Sequence, residues 1–224
     1  MIRRTATPGE MATLTRRAFL LFSTATAAML AAGVRRSAWA DAAAPLDQPL
    51  HALYAALEEA MRTGRTEPFP QRFDALAPVV DKVFDLETVL KVSVGLRWDT
   101  MDADARTRLL TTFRRFTVAT YVANFDKYDG ERFQILPGAR DSGSDRIVGT
   151  EIVSGNGDHT RLDYVMRSDN GAWRAVDVLL EGSISRVAVQ RSDFRKILAS
   201  GDADALIASL RQKITDLSDG ALNS

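Results

Sequence analysis

The chain has no cysteine, so disulfides, thiolate metal sites and cysteine nucleophiles are all excluded. Histidine is almost as scarce. His51 and His159 are the only two, and neither has another imidazole near it in sequence to suggest a metal site. There is no Walker loop, no G-x-S-x-G nucleophile turn and no H-E-x-x-H zinc motif, and no serine has an evident histidine partner. "DSGSD" at 141–145 alternates oxygen ligands as a calcium loop does, but Ile152 stands where the closing Glu is needed, so a turn is expected there. These absences weigh against metal and nucleophilic chemistry without excluding an enzyme. No metal and no cofactor are expected.

Long apolar runs are missing after residue 40, so no later stretch is long enough to span a bilayer. The N-terminus differs. "TRRAFLL" at 15–21 leads into an apolar stretch from Ala18 to Val34, followed by Ala38-Trp39-Ala40. A basic patch, a short apolar region and an A-x-A site in that order predict a secretory signal over 1–40, cut before Asp41. The paired Arg16 and Arg17 before Phe19 and Leu20 resemble a twin-arginine export signal. The alternative is a retained anchor, since residues 18–34 would just cross a thin bilayer. Cleavage would leave a soluble exported chain of 184 residues, long enough to bury roughly 70% of its surface without staples.

Excess positive charge is absent too. Cleavage removes six Arg and one Glu, leaving 23 basic and 28 acidic side chains and a net charge of about −5. That sign argues against nucleic-acid binding, which needs a basic face, and against a standing attraction to anionic lipid surfaces.

Residues 41–49 form a small-residue linker with two prolines. Apolar residues at 50, 53, 54, 57 and 61 have helical spacing, with Gly64 as a stop, and "TEPFPQ" at 66–71 is a break. Helical patterns follow over 72–101 and, from Asp102 as N-cap, to about Asp126. After Gly130 the period changes to two. "ERFQIL", "DRIVGTEIVS", "HTRLDYVMRS" and "AWRAVDVLLEGSISRVAV" predict four strands joined by Gly-, Asn- and Asp-bearing turns. A final helical pattern runs over 192–217, with Ser192 as N-cap, Gly201 interrupting and Asp202 restarting it; 218–224 is a tail. The layout is α+β: a curved antiparallel sheet of about four strands with helices over one face.

Aromatics are few except in "FRRFTVATYVANFDKYDGERF" at 113–133, which holds four Phe and two Tyr. On a helix, Leu109, Phe113 and Phe116 share one side, and Tyr121, Phe125 and Tyr128 fall some 80–120° round from it. Such an arc is wider than the ~100° stripe one flat sheet requires. Either the helix packs against two neighbours, or part of the arc lines an apolar pocket. Periodicity does not separate the two. On the strands, Leu162, Tyr164 and Met166 share one face, as do Val176, Val178 and Leu180.

Two carboxylate pairs, Asp85 with Glu87 and Asp177 with Glu181, have the residue types for acid–base work. Asp163 and Asp177 are expected instead to pair with Arg161, Arg167, Arg174 or Arg191.

Four stretches together resemble the toluene-tolerance or MlaC-type family of periplasmic lipid carriers: "FDLETVLKVSVGLRW" (84–98), "LLTTFRRFTVATYVANFDKYDGERF" (109–133), "LDYVMRSDNGAWRAVDVLLEGSISRVAVQRSDFRKIL" (162–198) and "ALIASLRQKI" (205–214). The likeness covers roughly 50–217. "LAPVVDKVFDL", "VGLRW", "YDGERF" and "AVQRSDF" look closest to the subgroup associated with hopanoid biosynthesis, the HpnM type. The resemblance implies an NTF2-like fold whose cavity takes lipid tails. It also implies transient exchange with an inner-membrane lipid transporter and an outer-membrane partner, a phospholipid or hopanoid ligand, a monomer, and no catalytic role. The chain departs from the family pattern at Ile184-Ser185, where many members continue with Leu-Val. On this reading the lining is Phe84, Leu90, Val94, Phe113, Phe116, Tyr121, Phe125, Leu162, Tyr164, Met166, Val176, Val178 and Leu180. Competing readings are an NTF2-like enzyme using Tyr164 or Asp177, and an accessory transporter subunit whose groove binds a partner helix.

Overall fold

The structure is a computed structural model that describes residues 45–222. The export signal expected at 1–40, the first four linker residues and the last two of the tail lie outside the described residues.

Five helices come first: α1 (Gln48–Thr63), α2 (Phe69–Val83), α3 (Leu86–Val94), the single turn α4 (Arg97–Thr100) and the long α5 (Ala103–Asn124). Six strands follow: β1 (Arg132–Ile135), β2 (Arg140–Ser142), β3 (Asp145–Val153), β4 (His159–Asp169), β5 (Ala172–Leu180) and β6 (Ile184–Ser185). Helices α6 (Arg186–Ser200) and α7 (Ala203–Leu217) close the chain. Among the described residues, no helix is long and apolar enough to cross a membrane.

The strands form one antiparallel sheet in the order β1-β3-β4-β5-β6, with β2 also paired to β3. The four predicted strands correspond to β1, β3, β4 and β5. The two short additions come from segments read as a loop, which gives β2, and as the continuation of a strand, which gives β6. Asn170 and Gly171 both take positive φ between β4 and β5, the geometry a two-residue hairpin turn demands. Gly155 is needed for a different reason. A Cβ there would lie 2.0 Å from the Asp129 carbonyl oxygen, so only glycine lets the β3–β4 turn approach the end of the helical half.

On the sheet's outer face Asp163 is 0% exposed yet not unpaired. It accepts from Arg161 Nε at 2.9 Å and from Arg140, which takes the place of the other arginines expected. Arg167 instead binds Asp145.

The helical boundaries show where local chemistry overrides pattern. The predicted 72–101 helix is broken into α2, α3 and α4, because Asp85 accepts from the Thr88 N–H to cap a new helix and Gly95 at φ 69° ends it. The break at "TEPFPQ" is shorter than expected. Pro70 sits in the first turn of α2, where its missing N–H is harmless. Pro49 likewise falls in the first turn of α1, so the linker's last two residues belong to that helix.

The largest correction concerns 181–192. The strand does not continue through "EGSISRVAV". Glu181 and Gly182 reverse the chain, β6 adds two residues, and α6 begins at Arg186 with Ser185, not Ser192, as its N-cap. Ser185 Oγ accepts from the Ala188 N–H at 2.9 Å, while the Asp177 carboxylate accepts from the Val187 N–H at 3.1 Å and from the Ser185 hydroxyl. Two side chains therefore satisfy the orphan donors of one helix start, which settles the local choice against a strand.

Candidate functional site

A cavity of about 530 Å³ lies between the sheet's inner face and helices α5, α6 and α7. That size is ordinary for a small-molecule pocket of about 300–1,000 Å³. Its depth is built from aromatic rings. Tyr54 stacks on Phe133 with centroids 4.6 Å apart, Phe133 meets Phe125 at 5.9 Å, and Phe125 meets Tyr121 at 6.1 Å. Tyr121 meets Phe84 at 5.7 Å, Phe84 meets Tyr164 at 6.3 Å, and Tyr164 returns to Tyr54 at 6.2 Å. Six rings from α1, α5, β1, β4 and the end of α2 thus close a loop, and all six border the cavity. Such offset and edge contacts are the arrangements aromatic pairs prefer, so the rings support one another in the wall.

The three phenols in that loop are polar and keep their protons at neutral pH. Burial pushes all three hydroxyls above the ordinary tyrosine value, with Tyr121 and Tyr164 shifted furthest. The three hydroxyls lie near enough to one another for each to influence its neighbours' protonation. Tyr54 in turn donates to Thr150 Oγ1 at 2.5 Å, and Thr150 donates to the Leu162 carbonyl at 2.7 Å.

Toward the opening the wall turns polar. Thr117, Thr120 and Asn124 come from α5, Arg186, Gln190 and Asp193 from α6, and Ser209 and Lys213 from α7. Asp177 also borders the space, but its oxygens serve the start of α6, so the arginine partner expected for it is absent. Asp85 caps α3, and Glu181 stands in a turn on the far side of β5, so neither predicted carboxylate pair forms a site. His51 and His159 are exposed, facing Asp47 at 3.5 Å and Glu151 at 3.0 Å. "DSGSD" is the β2–β3 hairpin. Among the described residues, no cluster of three His, Asp or Glu side chains could hold a metal.

Of the thirteen residues expected to line a cavity, nine border it: Phe84, Phe113, Phe116, Tyr121, Phe125, Leu162, Tyr164, Val178 and Leu180. Four do not. Leu90 and Val94 are enclosed where α3 packs between α5, α6 and β5. Met166, 0% exposed, lies beyond a bulge that slips the β4–β5 register, under the bridge between Phe84 and Ala175. Val176 is the extra residue of that bulge, so the alternation reaching back from Leu180 and Val178 breaks at it.

Sequence reading missed the contributions of α1, α6 and α7. Tyr54 and Leu57 carried the helical period, and that period does not distinguish lining from core. Val187 and Val189 were hidden by reading the start of α6 as strand, while Phe194 lay inside the predicted final helix without being marked as lining.

Comparison with known proteins gives two findings. The family model described as MlaC protein matches residues 52–212. A solved structure described as the phospholipid-binding protein from Ralstonia solanacearum in complex with a phospholipid superposes with a TM-score of 0.66 at 17% identity, over 80% of this chain and 99% of that one. No curated protein matches by sequence.

Proposed function

The chain belongs to the MlaC protein family, and from that premise we propose that it is a soluble periplasmic lipid carrier whose cavity takes the tails of a phospholipid or hopanoid. It exchanges this cargo with an inner-membrane transporter and an outer-membrane partner, acting as a monomer without catalysis. One observation carries the reading. Phe116, Tyr121, Phe125, Phe133, Leu162, Val178 and Leu180 are all only half-buried although they border the cavity, so part of their apolar surface faces a space. A tail leaving water for that wall gains about 0.8 kcal/mol per CH₂. The Ralstonia protein's bound phospholipid, held in the same fold, supports the cargo class.

The test is lipid extraction and native mass spectrometry on protein purified from a hopanoid-producing bacterium, beside the variant Val178→Asp. Stoichiometric phospholipid or hopanoid on the wild type, lost in a variant that still folds, is the expected result. A wild type that arrives empty and takes up no added lipid would sink the proposal.

A further inference from the structure

The cavity's opening carries two cations, Arg186 on α6 and Lys213 on α7, and two carboxylates, Asp177 and Asp193. Equal numbers suggest neutrality, but the partners are unevenly placed. Asp177 is committed to the Val187 N–H, the Val178 N–H and the Ser185 hydroxyl. Asp193 faces Lys196, 3.6 Å away on the same helix. Arg186 and Lys213 are exposed, and among the described residues neither has a carboxylate within ion-pair reach. The charge of Arg186 is nonetheless felt inside, where it offsets part of the effect of burial on the Tyr121 hydroxyl. The rim therefore holds two available positive charges, on a chain whose predicted mature form is net negative.

Resting on the carrier reading above, we propose that Arg186 and Lys213 form a headgroup clamp that selects a lipid bearing an anionic phosphate over an uncharged lipid with the same tails. The two residues divide the work by their chemistry. The planar guanidinium of Arg186 matches two phosphate oxygens at once, and the flexible ammonium of Lys213 adds a point charge from the facing helix. The tails supply affinity through the aromatic wall, and the rim supplies discrimination. An uncharged polycyclic lipid would fill the same wall and leave both cations without a partner.

The test compares uptake of phosphatidylglycerol and of diacylglycerol with identical chains, each presented in micelles of an uncharged maltoside detergent that carries no phosphate, and read by native mass spectrometry. The wild type should prefer phosphatidylglycerol by roughly fivefold or more, the range two rim charge pairs provide. Arg186→Gln with Lys213→Gln should erase that preference, by lowering phosphatidylglycerol uptake toward that of diacylglycerol. Arg195→Gln, which removes an exposed charge from the face of α6 turned away from the cavity, should leave the preference intact. Equal uptake of both lipids by the wild type, or a preference that survives the double substitution, would overturn the clamp and leave the carrier reading standing. Displacement of bound phosphatidylglycerol by excess inorganic phosphate would assign the cations to a free anion and also overturn it. Failure to take up either lipid would overturn the carrier reading itself, and the clamp with it.

Discussion

Leu90 on α3 and Phe116 on α5 are both large apolar residues facing inward, and they meet different fates. Leu90 is 0% exposed, packed among α5, α6 and β5, whereas Phe116 keeps part of its ring open to the cavity. The same contrast repeats along β4, where Met166 is sealed and Leu162, four residues earlier, borders the space. A filled block at the α2–α3 end and a hollow at the α6–α7 end thus share one sheet and one helix. Burial of apolar surface drives both, but only the filled block spends all of it on the fold itself. The hollow keeps apolar surface unsatisfied, and a lipid tail would complete it.

The sharpest way to break the comparison is to make a hole where there is none. Leu90→Ala should destabilise by about 2–5 kcal/mol, because a sealed site relaxes little around lost methyl groups. Denaturant unfolding measures it, and lipid retention by the folded fraction should be unchanged. A loss of only a few tenths would mean that α3 is looser than its burial says.

Phe116→Ala is the counterpart in the hollow. A buried Phe typically costs about 3–5 kcal/mol when truncated, but here the change widens a space that already exists, so about 1 kcal/mol is expected. Lipid retention should fall instead. If the unfolding cost matched that of a sealed Phe while retention held, Phe116 would belong to the core and the boundary drawn between the two regions would be wrong.

How much of this was legible before the coordinates depends on range. The five apolar positions predicted for α1, at 50, 53, 54, 57 and 61, are all buried, and the four main strands and the helices-then-sheet order follow the predicted pattern. Those are local signals of period and turn. The start of α6 was not legible because Val187 and Val189 alternate as a strand would, and the deciding carboxylate, Asp177, lies ten residues upstream of the N–H it caps. The hollow was less legible still. Periodicity says which side chains avoid water, not whether the space beyond them is filled. That depends on how far α6 and α7 stand off the sheet and on the bulge that turns Val176 out of line. Nine of thirteen candidates border the cavity because α5 and the strand faces point toward it, and the four that do not lie on α3 or beside that bulge.

The phenol chain is where the two regions meet, and it gives the smallest effect. Tyr54, Tyr121 and Tyr164 hold their protons more tightly in the folded state than an unfolded tyrosine does near pH 10, because burial penalises the phenolate. Raised folded values mean that this contribution to stability is whole below about pH 10 and is lost as pH rises toward them. Each such phenol removes about 1.4 kcal/mol per pH unit over that window. Tyr121→Phe should therefore change stability little at pH 7, where the phenol is neutral in either state, and make the alkaline fall shallower by about one phenol's share. Urea unfolding between pH 8.5 and 11 reads the slope. An unchanged slope would mean that water already reaches the Tyr121 hydroxyl through the cavity, which would move the edge of the hollow one residue deeper into the fold.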